Sequence, residues 1–252
     1  MYVYIYDSIT AKKKYNKTLI NIEKKITDLG LTGKIIRLEG ISNAEKIIQD
    51  EIKYGAKTVI AIGNDRTLNT ALSAIMKSAE QGAEIPALGI IPLEEKDNSL
   101  AKAMGIKGPL NACDVLLARR VEEVTVAGIN NSFFLSQLTI NSPEVEINIA
   151  KNYSIEMTKS NEINIVNFPL YKNLAQDINI NPKDKILELL VFPTRQDRHK
   201  NTNKSVFSLE KLTINRSSNP LTADNCLQIH TPAHISTTST SIELIVGKNR
   251  NF

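Results

Sequence analysis

Cysteine is scarce in this chain. Among 252 residues only Cys113 and Cys226 are present, far apart and in neither a C-x-x-C pair nor a disulfide-dense pattern. A disulfide scaffold is excluded, and a reduced compartment fits. Charge of one sign is also lacking: the formal net charge is +4, and the lysines are spread along the chain. The densest clusters, Lys12 to Lys14 and Arg195 to Lys204, read as solvated loops or helix ends, so no nucleic-acid partner is expected. A weak preference for an anionic membrane surface is compatible with this balance. No apolar run approaches the roughly 20 residues that cross a bilayer, and Met1 to Tyr6 is too short for the apolar core of a signal peptide. The expectation is a cytoplasmic protein, with attachment limited to the periphery of the inner membrane face. His199, His230 and His234 lack metal-ligand spacing and read as structural, so no metal ligand is named from them.

What is present describes a globular protein, 42% hydrophobic and 23% charged, long enough for one large domain or two ordinary ones. The first half alternates strand and helix signals. Strands are predicted at Val3 to Tyr6, Lys34 to Leu38, Thr58 to Ile62 and Ala87 to Ile91. Between them lie amphipathic helices: Leu19 to Leu29, stopped by Gly30; Ala44 to Tyr54, capped by Ser42 or Asn43; and Leu68 to Ser78. Further helices follow at Ser99 to Met104 and Leu110 to Arg120. Repeated βαβ units build a parallel sheet and put ligands at the carboxyl ends of its strands. From about Thr125 the texture changes to short alternating strands, among them Phe133 to Ile140, Val206 to Ile214 and Ile242 to Val246, with turn clusters at Asn215 to Pro220 and Ser236 to Ser241. The division expected is an α/β nucleotide-binding domain over residues 1–124 and a β-rich, sandwich-like domain over 125–252, with a cleft between them.

The most informative stretch is Thr58 to Asn69. An apolar strand runs into Gly63-Asn64-Asp65-Arg66-Thr67 and then a helix, which would aim free N–H groups and a positive dipole end at an anion. Asn64 tolerates positive φ and would keep the turn shape. Taken without context, Asp65 and Thr67 read equally as caps of the helix that follows, Asn69 as a first-turn residue and Asn98 as the cap of the helix starting at Ser99.

Three segments carry a family resemblance. Gly63-Asn64-Asp65-Arg66-Thr67-Leu68-Asn69 resembles a G-G-D-G-T-x-N-E loop. Ile91-Pro92, followed by Asn98 and Ala101, resembles I-P-x-G-T-x-N-x-x-A, and Asn130 to Ser136 resembles the strand that opens a β domain. In that order they are similar to the catalytic domain of diacylglycerol kinases and related lipid kinases. The resemblance implies an NAD kinase/diacylglycerol kinase-like α/β domain followed by a β-rich one. It implies transfer of the γ-phosphoryl group of ATP, with Mg2+, to a lipid hydroxyl. Gly63, Asn64, Asp65, Arg66 and Thr67 would hold the phosphates, Asp65 would reach them through Mg2+, and Asn69 and Asn98 would fix the loops. The implied partners are a nucleotide and a lipid at the bilayer surface, and exposed sheet edges add a homodimer.

The departures point the other way. Asn64 and Arg66 replace two glycines, and Glu94-Glu95-Lys96-Asp97 replaces the second loop, setting carboxylates near the expected phosphates. Asp7-Ser8-Ile9-Thr10 lacks the proline and glycine of the family's N-P-x-S-G. The family's D-G-E, whose Glu resembles a general base, aligns with Asp224-Asn225-Cys226, leaving Asp224 as the candidate carboxylate and Cys226 mostly protonated. Two readings therefore stand together: a lipid kinase with weak or lost activity, and a catalytically inactive homologue that binds a nucleotide or phospholipid and acts through a partner. A third, an interaction protein with a closed cleft, would show Arg66 bonded to Glu94 or Glu95.

Overall fold

The computed structural model describes residues 1–38, 43–94, 98–150, 153–157, 161–170, 178, 180–192 and 205–252. The chain divides into two compact units: Met1–Val124 with Thr240–Asn251, and Thr125–Ser239 with Phe252.

The first unit is a parallel sheet flanked by helices. Strands β1 (Tyr2–Tyr6), β2 (Gly33–Arg37), β3 (Thr58–Gly63) and β4 (Ala87–Pro92) lie in the order β2-β1-β3-β4, all parallel. Every residue of β3 is buried, as expected of a central strand covered on both faces. Helices α1 (Asn16–Asp28), α2 (Ala44–Lys53) and α3 (Asp65–Glu80) provide the crossovers, followed by α4 (Ser99–Ala103) and α5 (Pro109–Ala118). Gly30 takes φ +67° just after α1, the left-handed stop that its sequence position suggested. Asn43 does occupy the cap position of α2, but its side chain makes no capping bond; Ser42 lies outside the described residues.

The second unit is a sandwich of antiparallel strands, and it opens at Thr125, within the first strand of this half. Strand β5 (Val121–Ile129) pairs with β6 (Ser132–Phe134). Strands β7 (Gln137–Ser142), β8 (Val145–Ala150), β9 (Tyr153–Met157), β10 (Asn161–Val166), β11 (Leu187–Phe192), β12 (Ser205–Leu209), β13 (Lys211–Ser217), β14 (Leu221–Ala223), β15 (Leu227–Ile229) and β16 (Ala233–Ile245) follow. One antiparallel sheet runs β12-β11-β10-β7-β14-β15. Its inward side chains, among them Leu138, Ile140, Ile163, Ile165, Leu187 and Leu189, pack on Val145, Ile147, Leu212, Ile214 and Ile235 from the facing strands. A tightly packed core of this kind holds two sheets face to face.

Three sequence expectations are corrected. The run Phe133 to Ile140 is two strands, because the chain changes sheet at Leu135 and Ser136. Val206 to Ile214 is likewise two strands, divided at Glu210. An alternating pattern continues unbroken through a change of sheet, so periodicity cannot see it. Most clearly, the Ser236 to Ser241 cluster is not a turn but the middle of the 13-residue β16. Its threonines are β-branched and suit a strand, and Thr238 Oγ1 donates to the Val126 carbonyl at 2.9 Å. The end of β16 runs parallel to β4, Leu244 opposite Leu88.

Candidate functional site

In the first unit the site forms where β3 ends. An added Cβ at Gly63 would lie 2.2 Å from Thr67 Oγ1 and 3.0 Å from Asp7 Cβ, so only glycine fits. Asn64 is extended, with φ −132° and ψ −173°; the positive φ expected of it is not used. Its Oδ1 instead accepts from Thr67 N at 3.3 Å, while Asn64 N donates to Thr67 Oγ1 at 3.2 Å. This reciprocal capping box starts α3 at Asp65, three residues before the predicted Leu68. It occupies one of the N–H groups an anion would otherwise use. Thr67 Oγ1 donates to Asp7 Oδ2 at 2.7 Å, and Asp7 Oδ1 accepts from Ile9 N at 2.8 Å. A carboxylate therefore already sits on the turn. Asp7, Ser8, Leu38, Ala44, Arg66 and Thr67 line a cavity of about 20 Å³, room for a water or so rather than a nucleotide.

Asp65 does not face that cavity. It is 2% exposed; Oδ2 accepts from Ser99 N at 2.6 Å and Ser99 Oγ at 2.7 Å, and Oδ1 from Leu100 N at 3.1 Å. It caps α4 from across the sheet edge rather than its own helix, the negative group meeting the positive helix end. Burial nevertheless pushes its carboxyl up to about 6, against the lowering effect of Ser99 and the backbone bonds. Asn98, 2% exposed, donates Nδ2 to the Glu94 carbonyl at 2.5 Å. Asn69 is buried on α3. Lys14 pairs with Glu94 and holds its carboxyl below the usual range. An Arg66–Glu94 contact, the mark of a cleft closed by Arg66, is not formed among the described residues; Glu95, Lys96 and Asp97 lie outside them.

In the second unit Asp224 and Asn225 take φ +48° and +58°, left-handed positions that these residue types tolerate, between β14 and β15. Asp224 is 0% exposed. Its carboxylate accepts from Leu135 N and Ser136 N at 2.8 Å each and from Gln137 N at 3.2 Å. These are the residues where the chain changes sheet, so Asp224 satisfies the N–H groups that leave one ladder before joining the next. Cys226 is half-buried. His234 Nδ1 lies 3.1 Å from Thr213 Oγ1.

Among the described residues no group of three His, Cys, Asp or Glu is placed to hold a metal ion, and the oxygens of Asp65 are already taken up by α4. The residues present thus fit Mg2+ poorly. They fit a phosphate in part: Gly63 gives close approach and Arg66 stands at the first turn of a 16-residue helix, but Asp7 opposes it. Asp7 and Lys14 are the site residues that the motif reading passed over. The available signal was Asp7 following a predicted strand beside a glycine-ended one.

A family model described as the diacylglycerol kinase catalytic domain matches residues 1–129. Lipid kinase YegS of Escherichia coli K12 is 34% identical over 89 residues, 35% of this chain and 29% of that protein. A diacylglycerol kinase of Staphylococcus saprophyticus is 23% identical over 133 residues, 52% of this chain and 42% of that one. The matched stretch thus spans less than half the length of these relatives. A diacylglycerol kinase crystal structure from Bacillus anthracis superposes with a TM-score of 0.75 at 17% identity, covering 98% of this chain and 97% of that one, a likeness of fold. No helix among the described residues is long and apolar enough to cross a membrane.

Proposed function

Because the chain belongs to the diacylglycerol kinase catalytic-domain family, we propose that it is a kinase-shaped binding protein. It holds a phosphate-bearing ligand, a nucleotide or a phospholipid, at the Gly63–Thr67 turn, and transfer of a γ-phosphoryl group to a lipid hydroxyl is lost or severely slowed. The observation that carries this reading is the burial of Asp224 under three backbone N–H donors. With Cys226 where the family has glutamate and Asp224 held by backbone N–H groups, that triplet offers no carboxylate free to take the proton from an attacking hydroxyl. A general base contributes about a hundred- to ten-thousand-fold, so its loss leaves binding without useful turnover.

On this reading Mg-ATP, if bound, supplies the phosphoryl group of the family reaction, and the chain's own residues only hold it. Gly63, Asn64, Arg66 and Thr67 surround the phosphate position, Asn69 and Asn98 order the loops, and Asp65 positions α4 rather than touching ligand. Asp7 must give up its bond to Thr67 for a phosphate to enter.

Calorimetric titration with Mg-ATP and with inorganic phosphate, alongside a transfer assay on diacylglycerol, tests this. Micromolar to millimolar binding with no product is the expected result. Cys226→Glu separates the two defects: recovery of transfer means the base alone is missing, and continued silence means the phosphate turn is defective as well. Product formed by the unaltered chain at the rate of a working kinase, about 1 s⁻¹ or faster, overturns the proposal.

A further inference from the structure

The two faces of β1 lead to different places. Side chains alternate across a strand, so Ile5 lines the small cavity at the phosphate turn, whereas Tyr4 and Tyr6 line a larger one on the opposite face. This groove of about 240 Å³ lies between α1 and β2, the strand at the edge of the sheet. Its floor is Tyr4, Tyr6 and Ile26, all buried, and its rim includes the exposed Thr27, Thr32 and Ile35.

The floor is aromatic and apolar. Tyr2 stacks on Tyr4 with ring centroids 6.2 Å apart. Arg37, in register with Tyr6 on the neighbouring strand, holds its guanidinium 4.7 Å from the centre of the Tyr6 ring. Two of the hydroxyls are already spent: Tyr4 donates to the Leu31 carbonyl, and Thr27 to the Glu23 carbonyl at 2.9 Å. Tyr6 is the exception. It is 0% exposed, and its hydroxyl has no hydrogen-bond partner, although a buried phenol ordinarily finds one.

Glu23, half-buried, lines the same groove. Arg37 Nη2 donates to its Oε1 at 3.0 Å, which balances the charge and leaves the second oxygen to accept from another donor. Glu23 stands close enough to act on Tyr6 without meeting it in a hydrogen bond. Burial first and Glu23 second push the Tyr6 phenol up, so its proton stays in place and can be donated.

We propose that this groove binds a small neutral aromatic alcohol, a phenol of one or two rings, whose hydroxyl accepts from Tyr6 Oη and donates to the Glu23 carboxylate. A hydroxyl both accepts and donates, so one group satisfies both residues. The ligand's ring covers Tyr4, Ile26 and Ile35, extending the stacked array in the offset or edge-to-face contacts that aromatic pairs favour. An apolar cavity of about 150 Å³ takes benzene. The space of about 240 Å³ here suits a substituted ring and is too small for a nucleotide. Glu23 and Arg37 already cancel, which favours a neutral ligand over a charged one. The inference does not rest on the phosphate turn or on any transfer reaction.

The test is NMR of the full chain with carbon-labelled tyrosine rings, titrated with para-ethylphenol; the Tyr6 signal is the one lost in Tyr6→Phe. Para-ethylanisole accepts but cannot donate, and ethylbenzene does neither. Para-ethylphenol is expected to move the Tyr4 and Tyr6 signals saturably, with Kd below about 1 mM. Ethylbenzene should bind about tenfold more weakly, with para-ethylanisole between them. Tyr6→Phe removes a hydroxyl that bonds nothing in the free chain and so spares the fold. Read at the Tyr4 signal, it should weaken para-ethylphenol about fivefold and leave ethylbenzene unchanged. Ile35→Trp, at the exposed rim, should fill the groove and abolish the shifts. The absence of any saturable shift at Tyr4 and Tyr6, which leaves water as the partner of the phenol, overturns the assignment. So do ethylbenzene binding as tightly as para-ethylphenol, unweakened binding by Tyr6→Phe, and binding that survives Ile35→Trp.

Discussion

Three aspartates show how one residue type takes its role from what donates to it. Asp224 receives three backbone N–H groups in a site closed to water. Asp224→Ala is therefore expected to cost about 2–4 kcal/mol, because charged, buried hydrogen bonds are the strong ones and three donors are orphaned; chemical denaturation measures this. Asp65 has its folded value raised to about 6 from 3.8. A raised acid favours the folded state most below the unfolded value, and that support falls away as pH rises through about 6. Melting temperature should accordingly decline between pH 4 and 6.5, and the decline should be smaller in Asp65→Asn. Asp7 faces the small cavity with its bond to Thr67. Asp7→Asn removes a negative charge from the phosphate position and should tighten phosphate binding several-fold by calorimetry; weaker binding would place the ligand elsewhere. The motif singled out Asp65 and Asp224 from the sequence. Their partners, Ser99 and Leu135 to Gln137, are tens of residues away and carry no local signal.

At the scale of elements, the βαβ half was legible almost throughout. Helical and strand periods differ, and buried parallel strands such as Thr58–Gly63 are continuously apolar. The start of α3 was misplaced because Asn64 and Thr67 cap each other, which the glycine-loop resemblance disguised. Asn64→Ala is expected to cost about 1 kcal/mol as a lost N-cap. Gly63→Ala should be worse, with Thr67 Oγ1 only 2.2 Å from the new methyl; thermal unfolding ranks the two. The β half was less legible. Its strands trade sheets at Leu135–Ser136 and Glu210 without a break in alternation, and its longest strand hides in a serine and threonine run that polarity alone marks as a turn.

For the whole molecule, the first unit is discontinuous: Thr240–Asn251 returns to complete it. Val246 N donates to the Arg120 carbonyl at 2.9 Å, Gly247 N to Met104 at 2.8 Å and Asn251 N to Ala103 at 2.8 Å. Removal of residues 240–252 should therefore expose the edge of β4 and give an aggregating or unfolded product by size-exclusion chromatography. The central claim is binding without transfer, and a single-turnover assay reaches it most directly: excess protein, γ-labelled ATP with Mg2+, and diacylglycerol in anionic vesicles. The expected result is no phosphatidic acid above a protein-free control over an hour. Labelled product at about 1 s⁻¹ or faster, the range of working kinases, would contradict the account and restore a catalytic role to this chain.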